Sequence, residues 1–188
     1  MEKGLAIITG ADGGMGQVIT VALAKEGYPV IMACLDPEKA ASLCNRIQQE
    51  TGNTQIEVRE INLASLSSVN NFTGQLLKEG RPVSRLINNA GILTTPVRKT
   101  EDGLETIVSV NYVAPYMLPR QLLPLMQPGC RIVNTVSCTY AIGRIEPDFF
   151  EKGRNGRFFR IPVYSNTKLA LLLFTQEFAE RLQDKDIT

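Results

Sequence analysis

Leu5-Ala6-Ile7-Ile8-Thr9-Gly10-Ala11-Asp12-Gly13-Gly14-Met15-Gly16 is the stretch on which the fold of this chain turns. Four apolar residues and a threonine read as a buried strand, and a glycine-rich turn follows. Met15–Glu26 then carries the period of a helix that ends at Gly27. Strand, tight turn and helix in that order begin a βαβ unit. Gly10, Gly14 and Gly16 let the backbone approach a pyrophosphate closely, and the first N–H groups of the helix then face the anion. The same turn is compatible with a plain βα connection, since short glycine motifs also occur without a ligand.

Outward from this turn the alternation continues. Val30–Cys34, Gln55–Ile61, Arg85–Asn88 and Arg131–Val136 read as further strands. Helices are expected from Pro37 to about Glu50, over Leu66–Lys78, over Gly103–Met126 and over Val163–Leu182. Strands alternating with helices predict an α/β fold, a doubly wound Rossmann-type three-layer sandwich with a mainly parallel sheet and right-handed crossovers. A length of 188 residues fits a single domain over positions 1–188. Gly143–Pro162 lacks a period and holds four of the seven phenylalanines (Phe149, Phe150, Phe158, Phe159). It also carries Arg144, Lys152, Arg154, Arg157 and Arg160, and the expectation for 143–162 is a long loop or a lid with a basic rim.

Composition removes several classes of function. Lys and Arg number 20 against 19 Asp and Glu, with no clustered basic face, so no nucleic-acid partner is expected. No apolar run approaches the roughly 18 residues that span a bilayer. The first strand follows Met1-Glu2-Lys3 at once, leaving no room for a signal peptide, and a cytoplasmic location is expected. Cys34, Cys44, Cys130 and Cys138 show no paired spacing and read as reduced, mostly buried thiols. Histidine is absent, which excludes Ser-His-Asp hydrolysis, Cys-His chemistry and histidine-held metals; no metal site is expected. Chemistry falls to Tyr, Lys, Ser, Asn or carboxylates.

Tyr164-Ser165-Asn166-Thr167-Lys168 offers a phenol and an ammonium at i and i+4 on an expected helix, projecting from one face. An ammonium and an oxidised nicotinamide ring both stabilise a phenolate, so such a pair can exchange a proton near neutral pH. The plain alternative is an ordinary helical Tyr and Lys. Ser137 is expected at the end of the fifth strand, where open α/β sheets place ligands, and it reads equally as a serine capping the next turn. Asn111 is open between a site residue and a buried amide satisfying backbone near Pro115.

Taken together these motifs resemble the short-chain dehydrogenases/reductases. The glycines are spaced TGxxxGxG, Asn88-Asn89-Ala90-Gly91 matches that family's NNAG element, and Arg131–Ser137 matches its fifth strand and active-site serine. Tyr164-x-x-x-Lys168 and Asn111 complete the likeness. Ala33–Ala40, Asn62-Leu63-Ala64-Ser65-Leu66 and Thr167-Lys168-Leu169-Ala170 point to the retinol-dehydrogenase-like branch. The resemblance implies an NAD(P)-dependent oxidoreductase interconverting a carbonyl compound and an alcohol. Asn111, Ser137, Tyr164 and Lys168 would be the catalytic set: Tyr164 the general acid/base, Ser137 holding the substrate oxygen, Lys168 on the nicotinamide ribose, Asn111 fixing a water. Cofactor contacts would come from Gly10, Asp12, Gly13, Gly14, Met15, Gly16, Cys34, Leu35, Asn62, Leu63, Asn89, Ala90 and Gly91, with Tyr164 and Lys168. The partners implied are a small carbonyl or alcohol, lipophilic compounds included, and a second copy of the chain as homodimer or homotetramer. The alternative is a non-catalytic dinucleotide-binding or regulatory protein of the same fold. Sugar-nucleotide epimerases space their glycines TGxxGxxG and fit less well.

Three positions depart from the family pattern. Cys34 stands where NAD-preferring members usually carry Asp, and Leu35 where NADP-preferring members carry Arg. Asp12 occupies a turn position often basic in NADP enzymes, and its charge would repel a 2′-phosphate. Asp36 or Lys39 would reach the ribose only if the loop bends back, and Asn62 replaces an Asp often found beside the adenine. The balance leans slightly to NAD over NADP. The chain stops at Asp186-Ile187-Thr188, where family members begin a sixth strand, so the fifth strand is expected as an exposed edge and the natural protein is expected to be longer.

Overall fold

The computed structural model describes residues 3–94, 96, 98–147, 149–150 and 157–188, of which 157–160 by backbone alone. Five strands, β1 (Leu5–Thr9), β2 (Val30–Cys34), β3 (Ile56–Glu60), β4 (Val83–Asn88) and β5 (Met126–Asn134), form one sheet in the order β3-β2-β1-β4-β5. Every neighbouring pair is parallel, as the doubly wound expectation requires. Helices α1 (Gly14–Lys25), α2 (Pro37–Thr51) and α3 (Leu66–Glu79) connect the first four strands. Short α4 (Thr106–Val108), a π-helical segment Ser109–Val113 and α5 (Ala114–Leu122) lead to β5, and α6 (Arg157–Arg181) follows it.

β1 and β2 are buried at all five positions, because helices cover both faces of the sheet. Side chains alternate between the faces. Ala6, Ile8, Val30 and Met32 pack with Ala24, Ala40, Leu43 and Ile47 of α1 and α2. Leu5, Ile7, Ile31 and Leu86 pack with Phe72, Leu76, Leu118 and Phe174 of α3, α5 and α6. From β1 the chain winds outward to β3 and then returns to β4 on the other side. The crevice beyond the C-terminal ends of β1 and β4 is therefore the switch point where such sheets bind ligands.

Local signals set the helix boundaries. Asp36 caps α2 by accepting the Lys39 N–H at 3.1 Å, with Pro37 in the first turn. Ser65 caps α3 through the Ser68 N–H, and a distant loop adds to it: Leu66 N–H donates to Asp102 Oδ2 at 2.9 Å and Ser65 Oγ donates to Glu101.

Four expectations are corrected. β5 starts at Met126 rather than Arg131, because the strand continues through Pro128 and Gly129 (φ +87°), which hide its alternation in the sequence. It ends at Asn134, so Ser137 lies three residues beyond it. Its outer edge is not bare: Thr188 N–H donates to Cys130 O at 3.1 Å and Ile132 N–H to Thr188 O at 2.7 Å. Residues 157–162 belong to α6 and not to a loop.

Within the rest of 143–162, Phe149 is buried against the Tyr112 ring, with centroids 5.5 Å apart. The Arg144 N–H donates to Asn166 Oδ1 at 2.7 Å. These contacts fasten the described part to the domain. Lys152, Arg154 and the side chains of Arg157, Phe158, Phe159 and Arg160 lie outside the described residues, so the lid and its basic rim are described only in part. The helix expected over 103–126 begins at Thr106 and passes through the π-helical segment ahead of Pro115.

The glycine turn is close-packed. Gly10 has φ +60° and faces Ala90, while a Cβ at Gly16 would sit 2.1 Å from Gly10 O and 2.8 Å from Ala11 Cα. Those neighbours are backbone and cannot swing aside. Gly16→Ala is therefore expected to destabilise the fold by about 1–3 kcal/mol through overpacking. Urea unfolding of the two proteins measures this, and an unchanged midpoint would contradict the packing described.

Candidate active site

The N-terminus of α1 opens beside the turn. Its cap, Gly13, makes no side-chain hydrogen bond, and Gly13 N–H donates to Gly10 O at 3.1 Å. Gly14 is exposed with nothing within 4 Å of an added Cβ, and Met15 is exposed beside it. Unsatisfied helix N–H groups next to open space suit a phosphate. Across the crevice the Asn89 side chain donates to Thr9 O at 3.0 Å and Gly10 O at 3.2 Å. Thr9 Oγ1 accepts from the Asn89 and Ala90 N–H groups, both at 3.1 Å. Asn89 and Ala90 thus hold the glycine turn in place. The Thr9 hydroxyl, 1% exposed, is a site-building residue that the sequence reasoning missed. Its place as the threonine of TGxxxGxG was the available signal.

The adenosine side is assembled from the ends of β2 and β3. Gly10 N–H donates to Ala33 O at 2.9 Å, which presses the turn onto the end of β2. Cys34 is 1% exposed, and its thiol feels the charge of Asp12. Burial first, and then the Asp12 carboxylate, push this thiol up to about 12, so it stays protonated. Leu35 is 65% exposed. Asp36 does not bend back to the ribose: it caps α2 and pairs with Lys39 Nζ at 2.8 Å, which occupies both residues. Asn62 Oδ1 accepts the Ala64 N–H at 2.9 Å, so its NH2 group is what it offers a ligand. The Leu63 side chain is buried in the core and its carbonyl accepts from Ser109 Oγ, so neither is offered to a ligand.

At the other end of the crevice, Lys168 of α6 is 2% exposed, and its Nζ donates to Thr135 O at 2.7 Å. Burial pushes the ammonium below the ordinary lysine value. Nζ lies 5.6 Å from the centroid of the half-buried Tyr164 ring. A Cβ added to Gly91 would be 3.5 Å from Nζ and 3.6 Å from Asn111 Oδ1, so Gly91 lies against both groups at one point. Asn111 is fully buried in the π-helical segment and grips the backbone of Ile92, accepting its N–H at 2.8 Å and donating to its carbonyl at 2.9 Å. That satisfies the plain alternative for Asn111, a buried amide serving backbone, and also fixes the segment after Gly91.

Ser137 caps the short turn Cys138–Ile142, its Oγ accepting from Thr139 N–H at 3.3 Å and Oγ1–H at 3.1 Å. α6 packs directly on that turn: a Cβ at Gly143 would lie 2.6 Å from Ser165 O. The structure therefore brings Gly91, Asn111 and Lys168 together and seats Tyr164 and Ser137 on adjoining elements. The Thr135 carbonyl, partner of Lys168, is backbone and had no signal in the sequence. Among the described residues no group of His, Cys, Asp and Glu could hold a metal ion, and no helix is long and apolar enough to cross a membrane.

Comparison with known proteins agrees with this geometry. The family pattern described as short chain dehydrogenase matches residues 4–147. Human retinol dehydrogenase 11 is 36% identical over 187 residues, which cover 98% of this chain and 58% of that protein. Human retinol dehydrogenase 13 is 35% identical over 97% of this chain and 55% of its own length. The chain thus spans little more than half of these relatives. A crystal structure of an uncharacterized protein from Mycobacterium paratuberculosis superposes with a TM-score of 0.86 at 34% identity, covering 99% of this chain and 66% of that one. A short-chain dehydrogenase from Sphingobium yanoikuyae in complex with NADPH, 22% identical, shares the fold at a TM-score of 0.76 over 98% of this chain and 68% of its own. Matched along most of its length and closely similar to named members across nearly all of it, the chain belongs to the short-chain dehydrogenase family.

Proposed function

We propose that this chain carries the cofactor-binding and proton-handling machinery of an NAD(P)-dependent oxidoreductase that interconverts a carbonyl compound and an alcohol. The observation that carries the reading is Lys168: an ammonium 2% exposed, donating to Thr135 O, beside Tyr164 and the bare backbone of Gly91. A buried cation of this kind disfavours folding and calls for a functional reason.

The residues present fit a dinucleotide. Gly10, Gly13, Gly14 and Gly16 clear the backbone for a pyrophosphate, and the uncapped N–H groups of α1 meet its charge. Asn89, Ala90 and Gly91 form the opposite wall. When bound, the nicotinamide supplies the hydride donor or acceptor. Tyr164 Oη gives its proton to the carbonyl oxygen in the reducing direction and takes the hydroxyl proton in the oxidising direction. Lys168, with donors left beyond the Thr135 bond, stabilises the phenolate that forms and reaches the ribose hydroxyls. Ser137 Oγ holds the substrate oxygen, and Asn111 keeps the Gly91–Ile92 backbone in register beneath it.

NAD is the preferred dinucleotide in this reading, because Leu35 offers no cation and Lys39 is paired with Asp36. The substrate is a lipophilic carbonyl or alcohol. Similarity to proteins named retinol dehydrogenases supports this, as do the exposed Leu93, Ile142, Ile145 and Phe150 on the segments leaving Gly91 and Ser137.

Tyr164→Phe is expected to bind NADH with wild-type affinity and to lose at least ~100-fold in turnover of a lipophilic aldehyde. Fluorescence titration reads the first and steady-state assay the second. Retained turnover sinks the role of Tyr164, and no binding of NADH or NADPH by the wild type sinks the whole reading. Lys168→Met is expected to abolish turnover while raising the thermal midpoint, by ~2 °C or more. The sign follows from linkage: the folded lysine titrates below its unfolded value, so the penalty is complete at neutral pH and fades as pH rises toward 10.5. The gap between the two melting curves should narrow over that alkaline range, and a midpoint lowered at neutral pH would contradict it.

A further inference from the structure

Ser137 caps the turn Cys138–Ile142, and that task occupies only one side of its hydroxyl. We propose that Thr139 fixes the Ser137 hydroxyl as a hydrogen-bond donor, so that this position receives a substrate oxygen as acceptor. Thr139 is a positioning residue that acts through Ser137. This rests on the carbonyl-handling function proposed above, in which Ser137 Oγ holds the substrate oxygen.

A serine hydroxyl has one proton to give and two lone pairs that can accept. Both lone pairs of Ser137 are met by one residue: Thr139 N–H donates to Oγ at 3.3 Å and Thr139 Oγ1–H at 3.1 Å. Among the described residues no group accepts the Ser137 proton. Capping and substrate contact, open as alternatives for Ser137 in the sequence, therefore use opposite sides of one oxygen. The turn that carries the pair is pinned at several points. Tyr140 N–H donates to Ser137 O and Gly143 N–H to Tyr140 O, both at 2.9 Å. Arg144 N–H donates to the side chain of Asn166, on α6 just beyond Tyr164, at 2.7 Å. A Cβ at Gly143 would lie 2.6 Å from Ser165 O, so the turn rests directly on that helix. Ser137 and Tyr164 thus belong to one framework, and Thr139 sets the direction of the hydroxyl within it.

The chemistry follows from this direction. A carbonyl oxygen accepts hydrogen bonds and gains negative charge as a hydride reaches its carbon. A donor already aimed at that oxygen stabilises the charge without having to reorient. The proton that neutralises the oxygen comes from Tyr164 Oη. A relay from Tyr164 through Ser137 would need a lone pair on Oγ, and Thr139 has filled both. The Ser137 O–H bond therefore stays intact throughout. In the reducing direction a C–H bond forms with the hydride, an O–H bond forms with the Tyr164 proton, and Tyr164 is left as phenolate beside Lys168.

The test is binding of N-heptylformamide, whose carbonyl resembles that of an aldehyde but takes no hydride. Its dissociation constant from the NADH-bound, 188-residue chain is read by fluorescence, with NADH affinity and circular dichroism measured for each variant. Thr139→Val and Thr139→Ala lose the hydroxyl donor and keep the N–H. Each should weaken the formamide by ~3–10-fold while leaving NADH affinity within ~2-fold of wild type. Thr139→Ser should bring formamide binding back to within ~2-fold of wild type. Ser137→Ala should weaken it at least as much as Thr139→Val, and Thr139→Val added to Ser137→Ala should change nothing further. Thr139→Val that binds the formamide as wild type does overturns the positioning role, and so does an equal loss in the Ser137→Ala background. Formamide binding that is absent in wild type, or untouched by Ser137→Ala, overturns the Ser137 contact and this proposal with it. Wild type that binds no NADH overturns the dinucleotide-binding function beneath both.

Discussion

Thr9 ends β1 with its side-chain oxygen buried between two strands, accepting the N–H groups of Asn89 and Ala90 and lying 3.4 Å from the Ile87 carbonyl. A hydroxyl has one donor and two acceptor sites, and all three are engaged here. The glycine turn leaves β1 and the Asn89–Gly91 segment leaves β4, so the width of the crevice between them is set by this one oxygen. The Asn89 amide then returns two bonds to Thr9 and Gly10. A backbone bent to φ +60° at Gly10, with Ala90 against it, is held by half-buried polar contacts around the buried Thr9. Such contacts strengthen one another in a low-dielectric setting.

Lys168 is the opposite case. Its one hydrogen bond to Thr135 O satisfies it only in part, and the backbone of Gly91 lies beside it. The Asn111 amide is spent on both backbone groups of Ile92. The π-helical segment around Asn111 is the local irregularity that turns the amide inward, and irregularities of this kind gather at functional sites. A rigid amide on one side and a Thr135 carbonyl on the other leave the ammonium a narrow range of positions.

Much of this was readable from residues in order. β1 and β2 are found at the residues that their apolar runs marked, and Pro37 announced the start of α2. The fold class followed from alternation alone. Where the reading failed, the cause was a partner invisible in the sequence. β5 is carried past Gly129 by pairing with β4, against its own composition, and α6 runs through Pro162 because tertiary packing overrides a local breaker. Asp36 looked like a spare carboxylate until its cap and its ion pair were seen. The bond between Gly10 N–H and Ala33 O joins the glycine turn to the end of β2 through strand geometry, which no periodicity encodes.

The second cap of α3 has a consequence in time. Ser65 can serve the first turn of its own helix as soon as that helix forms, since its partner is only three residues away. The Leu66 N–H must wait for Asp102, 36 residues later and on the far side of β4. A chain emerging from the ribosome therefore makes α3 with a frayed beginning. That end is secured only when β4 has docked and the loop beyond it has folded back. The first turn of α3, which follows the Asn62 of the adenosine side, is therefore completed by a segment from beyond β4, and that side of the crevice does not mature alone.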